Sequence, residues 1–217
     1  MPMTRRLIQL QLGLALYGFA LALVVRAGLG LAPWDAFHQG LSRHTGLSIG
    51  TVLIIVGCVV LLLWIPLRQR PGVGTISNIF VIGVVLDVGL AVVPEVDGLP
   101  SRLSLLAVGM VLNGLGGGAY IGARLGPGPR DGLMTGFSAR SGRSLRSVRT
   151  VIELTVLGCG VALGGTVGLG TVVYAVTIGP LVQLFLPALT VPERPARAAV
   201  PAVGTAEACP AEAGVGT

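Results

Sequence analysis

The sequence predicts an all-α polytopic membrane protein: six transmembrane helices forming two inverted three-helix repeats, each with a short Pro-x-Asp helix after its first span. Three observations predict it. Mean hydropathy is +0.85 and only 11% of the residues are charged, far below the roughly 25% of soluble domains. Six apolar stretches approach the ~20 residues needed to cross the hydrocarbon core as a helix. The chain also matches itself, without a gap, at an offset of 96 residues.

In chain order the apolar stretches are 7–25, 49–67, 75–93, 103–123, 148–167 and 171–189. The first follows Arg5 and Arg6 and is longer than the apolar region of an ordinary signal peptide, so it reads as a span and not as a cleaved leader. The fifth carries Arg149 and Glu153 in its first turns and reaches the sixth through Gly168, Leu169 and Gly170, which predicts a tight hairpin. From 191 to 217 the sequence turns to Ala, Pro, Gly and Thr with little to bury, which predicts a disordered tail on the cytoplasmic side.

The offset aligns Leu29-Gly30-x-x-Pro33-x-Asp35 with Leu125-Gly126-x-x-Pro129-x-Asp131, and Gly72-x-Gly74-Thr75 with Gly168-x-Gly170-Thr171. Gly40, Ser42, Gly46 and Ser48 fall on Gly136, Ser138, Gly142 and Ser144, and upstream Gly13 and Gly18 fall on Gly109 and Gly114. These residues have conformational roles, so chance matching of apolar runs is a poor explanation. The repeats are residues 1–94 and 103–190. An odd number of spans in each requires the second copy to enter the bilayer inverted.

Every basic residue is Arg, and the arginines test the orientation. With both termini inside, Arg5, Arg6, Arg68, Arg70, Arg124, Arg130, Arg140, Arg143, Arg146, Arg149, Arg194 and Arg197 are cytoplasmic, and only Arg26, Arg43 and Arg102 lie outside. That is the positive-inside pattern of a bacterial cytoplasmic membrane protein. The arginines flank apolar runs instead of forming a soluble basic face, so nucleic acid is excluded as a partner.

Each Pro-x-Asp motif opens a segment too short to span. Proline suits the first helical turn, and an early Asp complements the positive end of the helix dipole. One reading is an interfacial connector helix capped by its Asp. The other is a short helix dipping into the protein from each face, since short helices at matched positions of inverted halves point to a transporter's binding site. On the second reading Pro33, Trp34, Asp35, Pro129, Arg130, Asp131, Arg149 and Glu153 bind a solute, and the helix-start turns at Gly74, Thr75, Gly170 and Thr171 line the site. Arg149 and Glu153 also suit a plain i,i+4 ion pair, and the threonines suit plain capping. Asn78, Asn113, Tyr120 and Gln183 are candidates to line such a cavity or to hydrogen-bond between helices.

Catalysis finds little support. The two histidines, His38 and His44, are placed outside and match Met134 and Arg140 in the second repeat. No metal or cofactor is expected, and the cysteines have neither disulfide context nor zinc-site spacing. Gly114, Gly118 and Gly122 form a small-residue stripe for close helix approach, within the chain or in a homodimer.

At Leu29 to Asp35, at Gly126-Pro127-Gly128-Pro129-Arg130-Asp131-Gly132-Leu133-Met134, at Arg149-x-x-x-Glu153 and from Leu163 to Thr171, the sequence resembles the YczE-like bacterial membrane proteins, of the YczE/YyaS/YitT group. The resemblance runs from the first helix to Pro187 and implies a multi-pass protein without implying an activity. The inverted repeats motivate the function expected, a small-solute transporter or permease with its site between the repeats and lipid around it. The alternative is a non-transporting membrane partner, either an assembly factor or the substrate-capturing subunit of a larger transporter.

Overall fold

The computed structural model describes residues 3–191. They form eight helices: α1 (Met3–Ala27), α2 (Pro33–Thr45), α3 (Ile49–Leu67), α4 (Val73–Val92), α5 (Leu99–Gly122), α6 (Pro129–Ser141), α7 (Leu145–Ala162) and α8 (Leu169–Leu189). By length and composition α1, α3, α4, α5 and α8 can each cross a membrane. The fifth expected span, α7, is 18 residues long and carries Arg146, Arg149 and Glu153, which sets it apart from those five. The outward faces of the long helices are apolar, with Leu62 and Ile65 on α3, Val84 and Val88 on α4, and Val172 and Leu184 on α8 all exposed. So much uncovered apolar surface suits lipid and not water.

The long helices α1 and α5 form the centre, with α4 packed on α1 and α8 on α5. Glycine permits this. A side chain on Gly13 would meet the backbone of Tyr120 at 2.8 Å and of Gly116 at 3.1 Å, and one on Gly109 would meet the Ala20 carbonyl at 3.1 Å. The stripe of Gly114, Gly118 and Gly122 is consumed inside the chain. It receives Leu181, Phe185 and the end of α8 at Leu189, which leaves nothing of that stripe for a second copy.

The short helices cross over. α2 packs chiefly on α7, and α6 chiefly on α3. Gly40 of α2 abuts Leu163, and Gly136 of α6 abuts Leu67, two pairs related by the 96-residue offset. Where Gly160 of α7 admits Ala36 of α2, the matched positions reverse the sizes: Trp64 of α3 lies against Gly132 of α6. The Trp64 indole N–H donates to the Pro129 carbonyl at 3.1 Å.

Two clasps tie the halves together. The Gly74 N–H donates to the Leu125 carbonyl at 2.9 Å, and the Gly170 N–H to the Leu29 carbonyl at 2.8 Å. Gly30 and Gly126 take φ of +125° and +129° at these turns, a region open to glycine and strained for other residues.

The expected α7–α8 hairpin is corrected. α7 ends at Ala162, six residues before α8, and the two make no substantial contact. Their link is instead wound around α2: the Leu31 N–H donates to the Thr166 carbonyl at 3.0 Å, and Arg43 donates to the Gly164 carbonyl. The corresponding pair, α3 and α4, is packed. Of the expected tail, Val191 is buried and its N–H donates to the Gly122 carbonyl at 3.0 Å; residues 192–217 lie outside the described residues.

Candidate functional site: a cavity where the two short helices meet

α2 and α6 have 13 residues each, with Pro33 and Pro129 as their first. At 1.5 Å per residue such a helix reaches about 20 Å, too short for a hydrocarbon core of about 30 Å. Neither is capped by a side chain at its start, so the reading of Asp35 and Asp131 as caps is corrected. Both carboxylates turn instead toward other helices.

Asp35 is 6% exposed, and Arg130 Nη2 donates to its Oδ1 at 3.4 Å. His38 Nδ1 stands 3.7 Å from the same oxygen, beyond hydrogen-bond range. The Arg130 guanidinium also lies over the Trp34 ring, 5.2 Å from its centroid. Trp34 and Arg130 are the same position in the two halves of the 96-residue match. The starts of the two short helices therefore face each other, with a cation on an aromatic ring as the join. Asp131 is exposed, and its Oδ2 accepts a bond from the Tyr120 hydroxyl at 3.3 Å.

A cavity of about 410 Å³ opens at this meeting point, and all eight helices contribute to its lining. Pro33, Trp34, Pro129, Arg130, Asp131, Arg149 and Glu153 line it. Asp35 lies behind, joined to it through Arg130. Gly74, Thr75, Gly170 and Thr171 are not lining residues. Thr75 Oγ1 accepts from the Gly72 N–H at 3.1 Å and donates to the Pro127 carbonyl at 2.8 Å, and Thr171 Oγ1 accepts from the Gly168 N–H at 3.3 Å. These four residues therefore build the clasps that hold the turns before α2 and α6.

Of the polar candidates inside spans, Asn78, Tyr120 and Gln183 line the cavity. Asn113 is buried and accepts a bond from the Tyr174 hydroxyl at 2.9 Å. Arg130 lies in the cavity. His38, expected outside, is 2% exposed and lines the cavity; its signal was the i,i+3 spacing from Asp35, which puts both on one face of α2. Tyr17 and Tyr174 also line it. They correspond to Asn113 and Asn78 at the offset, so each tyrosine has an asparagine as its counterpart.

One side of the cavity is shut and the matching side is not. Across the α3–α4 seam, Asp87 Oδ1 accepts the Gly50 N–H at 2.8 Å and Oδ2 accepts the Ser48 hydroxyl at 2.5 Å. There Gly83 is pressed against Ile54 and the Gly50 carbonyl. At the offset Asp87 becomes Gln183 and Gly50 becomes Arg146, and a side chain on Gly179, the counterpart of Gly83, would meet nothing within 4 Å. Leu53 and Gly57 of α3 become Arg149 and Glu153, an ion pair at 2.9 Å. Closing α7 onto α8 would take that pair out of water, and desolvation offsets much of its attraction.

The fold and its cavity define the class: a multi-pass helical membrane protein with an internal, charged and aromatic chamber. The chain belongs to a family of unknown function (DUF6198), matched over residues 4–187. It is similar to an uncharacterized protein of Haemophilus influenzae, 40% identical over 173 residues, covering 80% of this chain and 79% of the relative. It is 34% identical over 177 residues to the uncharacterized membrane protein YczE of Bacillus subtilis, with 81% and 82% covered. The uncharacterized protein YyaS of the same bacterium is 28% identical over 180 residues, with 81% and 90% covered. No solved structure matches the chain.

Proposed function

We propose that the chain is a small-solute transporter of the bacterial cytoplasmic membrane, working by alternating access, with the cavity as its solute site. In this reading α7 is the sixth membrane span, residues 1–94 and 103–190 are inverted repeats, and the two short helices are symmetry-related parts of the site. One observation carries it: seams that correspond at the 96-residue offset are in opposite states, α3–α4 latched and α7–α8 open. A chain of two matched halves that can each close or open its seam has two states, each opening the cavity to one face. With both termini inside, as the arginines favour, the open seam faces the cytoplasm and the Asp87 latch closes the outer side.

The test needs no known solute. Cys58, Cys159 and Cys209 are replaced by Ser, and Gly179→Cys places a single thiol in the open part of the cavity. A membrane-impermeant maleimide is expected to label that thiol readily in inverted vesicles and slowly in intact cells. Adding Asp87→Ala removes two hydrogen bonds to a charged group, worth about 1.5–3 kcal/mol each, so labelling from outside rises about tenfold or more. If the thiol is never reached from outside in either background, alternating access is abandoned.

A further inference from the structure

The charges in the cavity narrow the solute, on the reading of that cavity as a solute site. Two cations reach it and both are engaged: Arg130 with Asp35 and the Trp34 ring, Arg149 with Glu153 at 2.9 Å. The carboxylate of Asp131 is exposed in the lining and accepts a bond from the Tyr120 hydroxyl, and no arginine pairs with it among the described residues. Three carboxylates, Asp35, Asp131 and Glu153, therefore face two guanidiniums, and the surplus negative charge sits on Asp131. The second feature is aromatic: Tyr17, Trp34, Tyr120 and Tyr174 all line the cavity, and aromatic rings attract cations.

We infer that the solute is a small organic cation, an ammonium. Its ammonium group pairs with Asp131 beside Tyr120, in a chamber also lined by Tyr17, Trp34 and Tyr174. A cavity of about 410 Å³ suits a molecule of this size. An anion would meet an unpaired carboxylate and would have to draw Arg130 away from Asp35, which repels it on both counts.

Full-length protein in lipid nanodiscs is titrated with phenylalaninol, which has an ammonium, a hydroxyl and a ring. The controls are N-acetylphenylalaninol, which lacks the charge, and phenylacetate, which reverses it. Binding is followed by calorimetry and by the fluorescence of Trp34, one of only two tryptophans in the chain. Phenylalaninol is expected to saturate and to bind at least about tenfold tighter than either control, because the charge-assisted bond is the one that differs. Asp131→Asn and Asp131→Ser each weaken it about tenfold or more with the thermal midpoint kept, while Asp131→Glu retains binding. Tighter binding of phenylacetate, unchanged binding in folded Asp131→Asn and Asp131→Ser proteins, or no saturation by phenylalaninol below about 10 mM, where any remaining interaction is weaker than ~3 kcal/mol, overturns the inference. Two-sided labelling of the Gly179→Cys protein without phenylalaninol binding removes the cation and leaves transport standing. Asp131-dependent binding with labelling from the cytoplasmic side alone supports the cation and removes transport.

Discussion

Gly126→Ala is expected to unfold most of the protein at temperatures the parent survives, while Gly179→Ala melts at or slightly above the parent. Gly126 has φ of +129°, and a side chain there would stand 2.9 Å from Thr75 Oγ1 and 3.1 Å from the Gly72 Cα. Neither neighbour can retreat freely, because the Gly74 N–H holds the Leu125 carbonyl and the Thr75 hydroxyl holds the Pro127 carbonyl. Backbone strain of about 1–3 kcal/mol and overpacking of similar size then act together. Gly30→Ala is expected to cost as much, since Gly30 has φ of +125° and a side chain there would stand 2.7 Å from the Gly168 nitrogen. Gly179 is helical and has open space, so Ala there gains up to about 1 kcal/mol of helix propensity. Melting in detergent, followed by the loss of the monodisperse peak, reads all three. A Gly126→Ala protein that melts with its parent would mean that the clasps do not hold the halves together.

The sequence made the repeated parts legible, because glycine, proline and aspartate at fixed spacing report backbone geometry directly. The short helices opened by Pro33 and Pro129 and the matched Gly-x-Gly-Thr helix starts were readable on that ground, whereas the part those starts play in the clasps was not. The partners of each motif were not. Nothing local indicates that Gly74 serves Leu125 or that Asp35 serves Arg130, since these pairs join one half of the chain to the other. The difference between the seams hid for another reason. Gln183 for Asp87, and Arg149 and Glu153 for Leu53 and Gly57, are mismatches in the alignment, and a comparison that seeks identities passes over them. They sit where α7 and α8 stand apart, while the matched α3 and α4 pack together. His38 was not singled out for the cavity because the positive-inside count sorts whole segments and says nothing of whether a side chain on a short helix is buried.

Arg130→Ala is expected to be among the most damaging single changes, and Asp35→Asn is expected to relieve it. Asp35 is almost fully buried, with Arg130 as its only ion-pairing arginine among the described residues and His38 at 3.7 Å. Removing the guanidinium leaves a buried carboxylate without its cation, a loss of about 3–5 kcal/mol. It also strips the cation from the Trp34 ring, worth about 0.5–2 kcal/mol. The reverse change is milder. Arg130 is partly exposed on the cavity side, so in Asp35→Asn water solvates the guanidinium while Trp34 still holds it. Thermal midpoints should therefore fall in the order parent, Asp35→Asn, Arg130→Ala, with Arg130→Ala/Asp35→Asn above Arg130→Ala alone. Arg130→Lys separates the two roles of the side chain, since it keeps the charge facing Asp35 and loses the planar stack on Trp34. If the double variant is no more stable than Arg130→Ala, the stack on Trp34 and not the pair with Asp35 joins the two short helices.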